Sequence, residues 1–192
     1  MFFSFENVTD VHLPETVDTI GAAAFSSCSA LENINLPDAL TEIADYTFAS
    51  TAIKELSIPN TVKRIKKGAF YLSNLSSIDI PDSVTEIGCE AFMGCYLLTS
   101  ITLPNELIRI ENETFFGCEN LNNLTIPNHI QQIGKRAFAA CTSLNMVEIP
   151  QSVQSIEAEA FDSCESLQKV TIPATTVVAQ NAFANTVCQD VS

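Results

Sequence analysis

Apolar residues recur along the chain with a spacing of 22 or 23 residues, which indicates a repeat architecture. Within one period, an apolar-x-apolar pair precedes a proline, and this alternation is typical of a half-buried β-strand. A further apolar residue follows three positions after the proline, and the period closes on isoleucine and then Ala-Phe or Thr-Phe, as in Leu31 to Phe48. A unit this short can bury its apolar residues only by stacking on copies of itself, so the pattern predicts a solenoid.

Proline and phenylalanine each occupy one fixed position of the unit. All eight prolines follow the apolar pair. Since proline cannot donate a backbone hydrogen bond, we place it at the end of the strand and at the first central position of a turn. The phenylalanines predict an internal ladder of stacked rings, each contributing about 1.5–3 kcal/mol on burial. The ladder positions are Phe2, Phe25, Phe48, Phe70, Phe92, Phe115, Phe138, Phe161 and Phe183.

The period predicts one domain over residues 1–192, made of about eight coils. It begins with a partial coil from Phe2 and ends with a degenerate coil over 173–192, in which Thr176 takes an apolar position. The coils 37–59 and 59–81 are one residue short between the phenylalanine and the next strand. Because the repeat begins at once, we expect an N-terminal edge that is covered by missing sequence, covered by another chain or left exposed. An uncapped N-terminal coil would allow self-association.

The full column pattern is C-x-x-L-x-x-I-x-[IL]-P-x-x-[VL]-x-x-I-x-x-x-A-F, and it resembles the BspA-like (Treponema-type) leucine-rich repeat. Residues 28–48 and 118–138 match it at nearly every column, and the match covers nearly the whole chain. The resemblance implies a leucine-rich-repeat solenoid with short parallel β-strands on the concave face and short β, turn or 3-10 segments on the convex side. The commoner leucine-rich repeat carries Asn or Cys just after the strand, and here the proline corner replaces it.

The resemblance implies a non-enzymatic protein-binding module in a setting of cell-surface adhesion or host interaction, with a protein partner such as a host or extracellular-matrix protein. Two alternatives stay open, which are an intracellular scaffold and a structural spacer within a longer chain. The first residues, MFFSFENVTD, lack the features of a signal peptide. We therefore expect either a chain that stays inside the cell or a piece of a longer protein, while the resemblance favours a secreted or surface location.

The candidate binding face lies between the apolar positions of the strands, where side chains point outward from the concave sheet. It is small, polar and free of aromatic residues, and aromatic residues usually anchor protein interfaces. This composition favours a weak or extended contact, or a contact on the convex side. The candidate residues are Asn33, Asn35, Ser57, Ser77, Asp79, Ser100, Thr102, Asn123, Thr125 and Glu148.

A second candidate is the only concentration of basic residues, which holds five of the nine in the chain. We interpret it either as a docking patch for an acidic partner, including an acidic surface of another copy, or as an ordinary solvated face. Its members are Lys54, Lys63, Arg64, Lys66 and Lys67.

The formal net charge of −14 disfavours nucleic acid and anionic membranes as partners. Apolar runs are far shorter than a membrane span requires, and we expect no cofactor. The sequence contains no phosphate-binding glycine loop, nucleophile elbow or metal-ligand pair. A polysaccharide-cleaving parallel β-helix is the enzymatic alternative, but such enzymes need more coils and long loops. An ice-binding solenoid would need a regular array of threonines, which is not present.

Five of the seven cysteines occupy the column three residues after the ladder phenylalanine, and we expect them to be buried thiols. Disulfides between them are disfavoured because parallel ladder side chains point the same way. Cys89 and Cys188 lie off this column and are the more reactive candidates. Four N-x-[ST] sequons, at Asn7, Asn74, Asn112 and Asn123, matter only for a secreted eukaryotic protein.

Overall fold

The computed structural model describes residues 6–188, and over this range the chain winds as a solenoid of short parallel strands. The strands, in chain order, are β1 (Asp10–Val11), β2 (Asn33–Ile34), β3 (Glu42–Ile43), β4 (Arg64–Ile65), β5 (Ser77–Asp79), β6 (Glu86–Ile87), β7 (Ser100–Thr102), β8 (Arg109–Ile110), β9 (Asn123–Leu124), β10 (Gln132–Ile133), β11 (Met146–Glu148), β12 (Ser155–Ile156), β13 (Lys169–Thr171) and β14 (Val177–Val178).

The strands form two rows, one on each side of the proline position. The first row precedes the prolines and contains β1–β2, β5–β7–β9 and β11–β13, whereas the second row follows them and contains β3–β4–β6 and β8–β10–β12–β14. All pairs are parallel and keep the repeat in register, as in Ile78 opposite Ile101. The first row is interrupted in the short coil 37–59, where Lys54–Ile58 carries no strand. This coil has one residue fewer than the regular coils between Phe48 and this segment, at the place where the strand is missing.

A third side of each coil consists of turns around the ladder phenylalanine. Residues two before and two after the phenylalanine have positive φ in seven successive coils, for example Tyr46 (54°) and Ser50 (56°) around Phe48. A positive φ at the third position is what a type II turn requires. The turns also form hydrogen-bonded rungs with the next coil, such as Phe48 N to Ala69 O at 2.8 Å. Backbone groups that point along the solenoid are thereby paired on this side as well.

The interior is one continuous apolar core built from the predicted columns. Rings from Phe25 to Phe183 stack with centroids 5.0–5.7 Å apart and interplanar angles of 3–17°, so the phenylalanine ladder is present over the described coils. Phe2 lies outside the described residues. The cysteine column is also buried. Four of its five thiols donate to a phenylalanine carbonyl of the preceding coil, as in Cys118 Sγ to Phe92 O at 3.2 Å, and these are Cys95, Cys118, Cys141 and Cys164.

The position predicted for proline within its turn is wrong by one residue. The proline carbonyl accepts the N–H of the apolar residue three positions later, as in Leu40 N to Pro37 O at 3.0 Å. Proline is therefore the first residue of the turn, and the Asp or Asn that often follows it takes the first central position. Proline can fill this place because it lacks a donor but retains its carbonyl acceptor.

The leucine-rich-repeat solenoid predicted from the sequence is confirmed, with about seven turns in the described part. Its connecting segments are short strands and turns, and residues 6–188 contain no helical segment, 3-10 helix included. The last coil departs from the others in its described part. Thr176 replaces an apolar residue and donates through Oγ1 to Val153 O at 2.8 Å, and the side chain of Val177 on the edge strand β14 is 71% exposed.

Candidate interaction surfaces

The ten residues of the predicted polar face lie on or directly beside the first row of strands, except Ser57, which lies in the segment Lys54–Ile58 that carries no strand. Successive side chains of a strand point to opposite faces. Ile78 and Ile101 therefore point inward and are buried, whereas Asp79 and Thr102, which follow them, point outward and are exposed. Three of the ten residues are half-buried and the other seven are exposed. The half-buried members are Asn35, Ser77 and Ser100.

Three open depressions lie along this first-row face. The central one has a volume of about 500 Å³ and is lined by residues from Glu55–Ile58 and Ser77–Pro81. A second, of about 610 Å³, includes Ser100–Leu103 and Asn123. A third, of about 460 Å³, lies between the first strands and Glu55–Ser57. Two of the three include the segment without a strand, so the interrupted row leaves space rather than a continuous sheet.

Several polar side chains of the face are already bonded to the neighbouring coil. Thr102 Oγ1 donates to Asp79 Oδ1 at 2.6 Å. The amide of Asn35 bonds both backbone groups of Leu13, at 2.7 and 2.9 Å, and so replaces a missing backbone pair. Asn33 Nδ2 donates to Asp10 Oδ1 at 2.8 Å. These residues hold the coils together and have less capacity left for a partner.

The remaining side chains have free hydrogen-bonding capacity. Within residues 6–188, no side-chain hydrogen bond or ion pair involves Ser57, Ser100, Asn123, Thr125 or Glu148. Ser100, Asn123 and Glu148 project from strands with a packed core beneath them, so a partner would meet their donors and acceptors in fixed positions at little further ordering cost. The face supports extended polar recognition.

The structure does not bring the five predicted basic residues together. Lys54 lies on the first-row side, where its carbonyl accepts the N–H of Ser76, whereas the other four lie on or beside β4 in the second row. Arg64 pairs with Glu42 at 2.9 Å. Lys66 lies 4.0 Å from the same carboxylate.

Lys67, the last of these basic residues, pairs with Glu90 at 3.0 Å. The hydrogen bond and charge of Glu90 raise the pKa of the Lys67 ammonium. The Tyr46 hydroxyl also donates to Glu90, at 3.1 Å. Burial is the main cause that raises the pKa of this hydroxyl, and the hydrogen bond to Glu90 is the next. Three of the five cations are therefore engaged with acidic residues of neighbouring coils, which reduces the positive potential available to an acidic partner.

A group of aromatic and aliphatic side chains lies on the turn side, and the sequence analysis did not identify it. Tyr71, Met93 and Phe116 each directly follow a ladder phenylalanine and are half-buried, while the side chains of Tyr96 and Leu97 are 48% and 46% exposed. A signal was present, because Phe116 is a phenylalanine off the ladder column and the tyrosines are otherwise scarce. These positions lie in the turns and have no part in the strand alternation that identified the polar face.

The described part of the chain provides no alternative site of a metal or membrane type. Among residues 6–188, no group of three or more His, Cys, Asp or Glu side chains could hold a metal ion. The same residues contain no helix that is long and apolar enough to cross a membrane.

Comparison with known families gives a match along the whole chain. The BspA type leucine-rich repeat region matches in six copies that span residues 1–97 and 63–191. No curated protein matches the chain.

Solved structures provide a second comparison. A leucine-rich repeat protein from Bacteroides ovatus is 30% identical, with a TM-score of 0.74 over 95% of this chain and 54% of its own. One from Eubacterium ventriosum is 20% identical, with a TM-score of 0.81 over 96% of this chain and 60% of its own. The leucine-rich repeat protein of T. pallidum is 23% identical, with a TM-score of 0.55 over 88% of this chain and 72% of its own. The chain thus spans little more than half the length of the first two proteins.

Proposed function

The chain belongs to the BspA-type leucine-rich repeat family, and on that premise we propose that it is a non-enzymatic protein-binding module. It acts as a single domain that presents a rigid polar face to a protein partner. By resemblance to its family, the setting is adhesion at a cell surface, with a host or extracellular-matrix protein as the partner. The function is that of a recognition surface and involves no bond making or breaking.

The observation that carries this proposal is the first-row face. Four of its unbonded side chains, those of Ser57, Ser100, Asn123 and Thr125, border the three open depressions. Polar contacts distributed over several coils suit an extended partner better than a small molecule, since a small-molecule site is typically one concave and mostly apolar pocket. The wide, shallow form of the depressions supports the same reading.

Binding to a panel of purified extracellular-matrix proteins, measured by surface plasmon resonance, tests the proposal. Asn123→Arg and Thr125→Arg place bulk and charge in the middle of the first-row face. We expect these variants to weaken binding at least about tenfold, which corresponds to about 1.4 kcal/mol. Gln131→Arg and Gln154→Arg are the matched controls, because they add the same charge at exposed positions beside the second row.

Equal loss in the two pairs of variants would contradict a first-row site. Absence of binding to every protein of the panel would favour the spacer role, in which the coils only separate other parts of a longer chain. The basic residues give a separate outcome. If an acidic partner docks at Lys54 or Lys63, the two of these five basic residues that have no ion pair in residues 6–188, its affinity falls steeply with salt.

A further inference from the structure

We propose that the turn side of the solenoid carries a second docking surface, which binds an extended protein segment with an apolar anchor followed by basic residues. This surface is separate from the first-row face. It lies on the outer turn strip, defined as the residues that follow the ladder phenylalanine in successive coils, 71–74, 93–97, 116–120, 139–143 and 162–166.

The centre of the strip holds its large apolar side chains in adjacent coils. Backbone rungs connect Leu72 N to Met93 O and Gly94 N to Phe116 O, both at 2.8 Å. Tyr71, Met93 and Phe116 therefore occupy equivalent positions on neighbouring rungs. In the other coils within residues 6–188 the equivalent residue is small or acidic, at Ser26, Ala49, Ala139, Asp162 and Ala184.

Two glycines form the floor of this apolar centre. A Cβ at Gly94 would lie 2.4 Å from Leu72 Cδ2 and 3.6 Å from Tyr96 Cζ, so both side chains cross over Gly94. A Cβ at Gly117 would meet nothing closer than 4.0 Å, and one of its nearest atoms is Tyr96 Cε1. The strip therefore has an open place above Gly117 that is bordered by an exposed tyrosine ring. An apolar side chain of a partner fits there.

The charges on the strip favour a partner segment with basic residues. Every charged residue on it is acidic, namely Glu119, Asp162 and Glu165. Within residues 6–188, none of the three takes part in an ion pair, although Asp162 accepts a hydrogen bond from Asn185 at 2.8 Å. Uncompensated carboxylates beyond an apolar centre complement a segment that carries Lys or Arg beyond its apolar anchor.

The protein itself shows how a cation packs beside this surface. The guanidinium of Arg136 lies 4.3 Å from the centroid of the Phe116 ring. Its charge is already used by Glu113, at 3.1 Å, and by Glu159, at 3.6 Å. Tyr96, in contrast, has an exposed ring with no such cation within the described residues, so its face is open to the apolar anchor of the partner.

The spacing fixes the length of the partner segment. Asp162 and Glu165 lie three coils beyond Tyr96, which is about 15 Å at the usual separation of parallel strands. An extended chain covers that distance in about five residues. The segment that fits therefore has a Leu or Phe near Tyr96 and a basic pair about five residues away.

Nuclear magnetic resonance of the ¹⁵N-labelled protein, titrated with synthetic peptides, tests this surface. The probe peptide carries Leu-Phe and, about five residues later, Arg-Arg. One control peptide has Glu-Glu in place of Arg-Arg, and another has Ala-Ala in place of Leu-Phe. We expect shifts confined to amides of the strip, such as those of Leu72, Gly94 and Gly117, with the probe peptide, and at least about tenfold weaker binding of each control.

Paired variants separate the site from general attraction to an acidic protein. Tyr96→Ala with Leu97→Ala should weaken peptide binding at least about tenfold, and Glu119→Gln with Glu165→Gln should weaken it about threefold to tenfold. Glu15→Gln with Glu106→Gln removes the same charge at exposed positions away from the strip and should leave the affinity unchanged. If the Tyr96 and Leu97 double variant does not fold, Tyr96→Arg is tested instead, since it places a charge where the apolar anchor of the peptide would bind.

Any one of four results would overturn the proposal. Shifts of amides next to acidic residues on all sides of the solenoid would mean that the attraction is non-specific. Equal losses of affinity in the two pairs of charge variants would mean the same. Equal binding of the Ala-Ala peptide would mean that the apolar centre has no role. A dimer in light scattering that Tyr96→Arg dissociates would mean that a second copy of this chain covers the strip.

Discussion

The phenylalanine ladder and the outer turn strip lie side by side, yet the residue type is constant along the ladder and varies along the strip. Phe115 and Phe116 are neighbours in sequence. The Phe115 ring is fully buried and stacks on Phe92 and Phe138 at 5.4 and 5.2 Å. The Phe116 ring is partly exposed and contacts the guanidinium of Arg136. The first position is phenylalanine in every described coil, and the second ranges from alanine to aspartate.

The difference shows that stacking constrains only the interior. An inward side chain must match the shape of the coil below and of the coil above, so a change in one coil creates a cavity against two others. An outward side chain meets solvent on one side, and its identity is open to selection for binding. A strip whose side chains differ from coil to coil is therefore the place where we expect recognition. Five experiments test how far the contrast between the ladder and the strip extends.

The largest expected effect is the loss of a ladder ring. Phe115→Ala should lower the free energy of unfolding by about 3–5 kcal/mol, because it removes a fully buried ring and leaves a cavity in the middle of the stack. Urea unfolding followed by circular dichroism measures the change. An unchanged unfolding midpoint would contradict the stacked ladder.

The next effect concerns the buried thiols at alkaline pH. Burial raises the pKa of the Cys95 thiol from 9.0 to about 12. A folded-state pKa above the unfolded value gives stability that is complete below pH 9 and is lost as the pH rises towards 12.

About 1.5 pH units above 9, this thiol alone should account for a loss of about 2 kcal/mol. Urea unfolding at pH 8 and at about pH 10.5 measures the loss, and Cys95→Ala should show a correspondingly smaller one. The same pH dependence in both proteins would contradict the assignment to this thiol.

A pair of glycines on the strip separates backbone strain from packing. Gly94 and Gly117 share a φ of 71°. Gly117→Ala should cost about 1 kcal/mol for the left-handed backbone alone. Gly94→Ala should cost about 1 kcal/mol more, because its Cβ displaces the Leu72 side chain. Thermal melting of the two variants gives the comparison, and equal costs would mean that Leu72 moves away freely.

Replacing the outward neighbour of the ladder should have a small effect. Phe116→Ala removes a partly exposed ring and its contact with Arg136, for which we expect a loss of about 1 kcal/mol. Measured beside Phe115→Ala under the same conditions, it compares two adjacent phenylalanines that differ in burial. Similar losses for the two would remove the distinction between ladder and strip.

The smallest effect belongs to the first-row face. Thr102→Ala removes an exposed hydrogen bond to Asp79 and should change the free energy of unfolding by no more than about 0.5 kcal/mol. The same denaturation experiment checks it. A larger loss would show that the cross-coil bonds of this face stabilise the solenoid.

The sequence predicted the buried positions of the repeat correctly, but it predicted the turn at the proline and the strand at Lys54–Ile58 incorrectly. Spacing alone identified the ladder rings and the buried cysteines, because a period places residues of one column above one another. It misplaced proline within its turn, since a proline at the first residue and one at the first central residue end the strand in the same way. It also missed the absent strand at Lys54–Ile58, because the apolar alternation there is intact and only the coil length differs.

The candidate surfaces show the same limit. The ten polar residues do share one side of the solenoid, as strand alternation predicted, but some of them are used for bonds between coils. The five basic residues are close in sequence, yet the chain turns a corner between Lys54 and Lys63 and places them on different sides. The apolar centre of the strip was missed because its members come from three coils, and the turn between ladder and strand gave no periodicity to follow.

The sequence by itself determined the repeat, its family and the contents of the core, because burial in a stacked unit demands the same residue types at the same places in every coil. Only the tertiary structure decided which polar side chains remain unbonded, which cations are paired and which outward residues meet across coils. Those properties depend on contacts between residues about 22 positions apart and on the direction of each side chain at the corners. A period restricts such contacts, but the folded geometry selects among them.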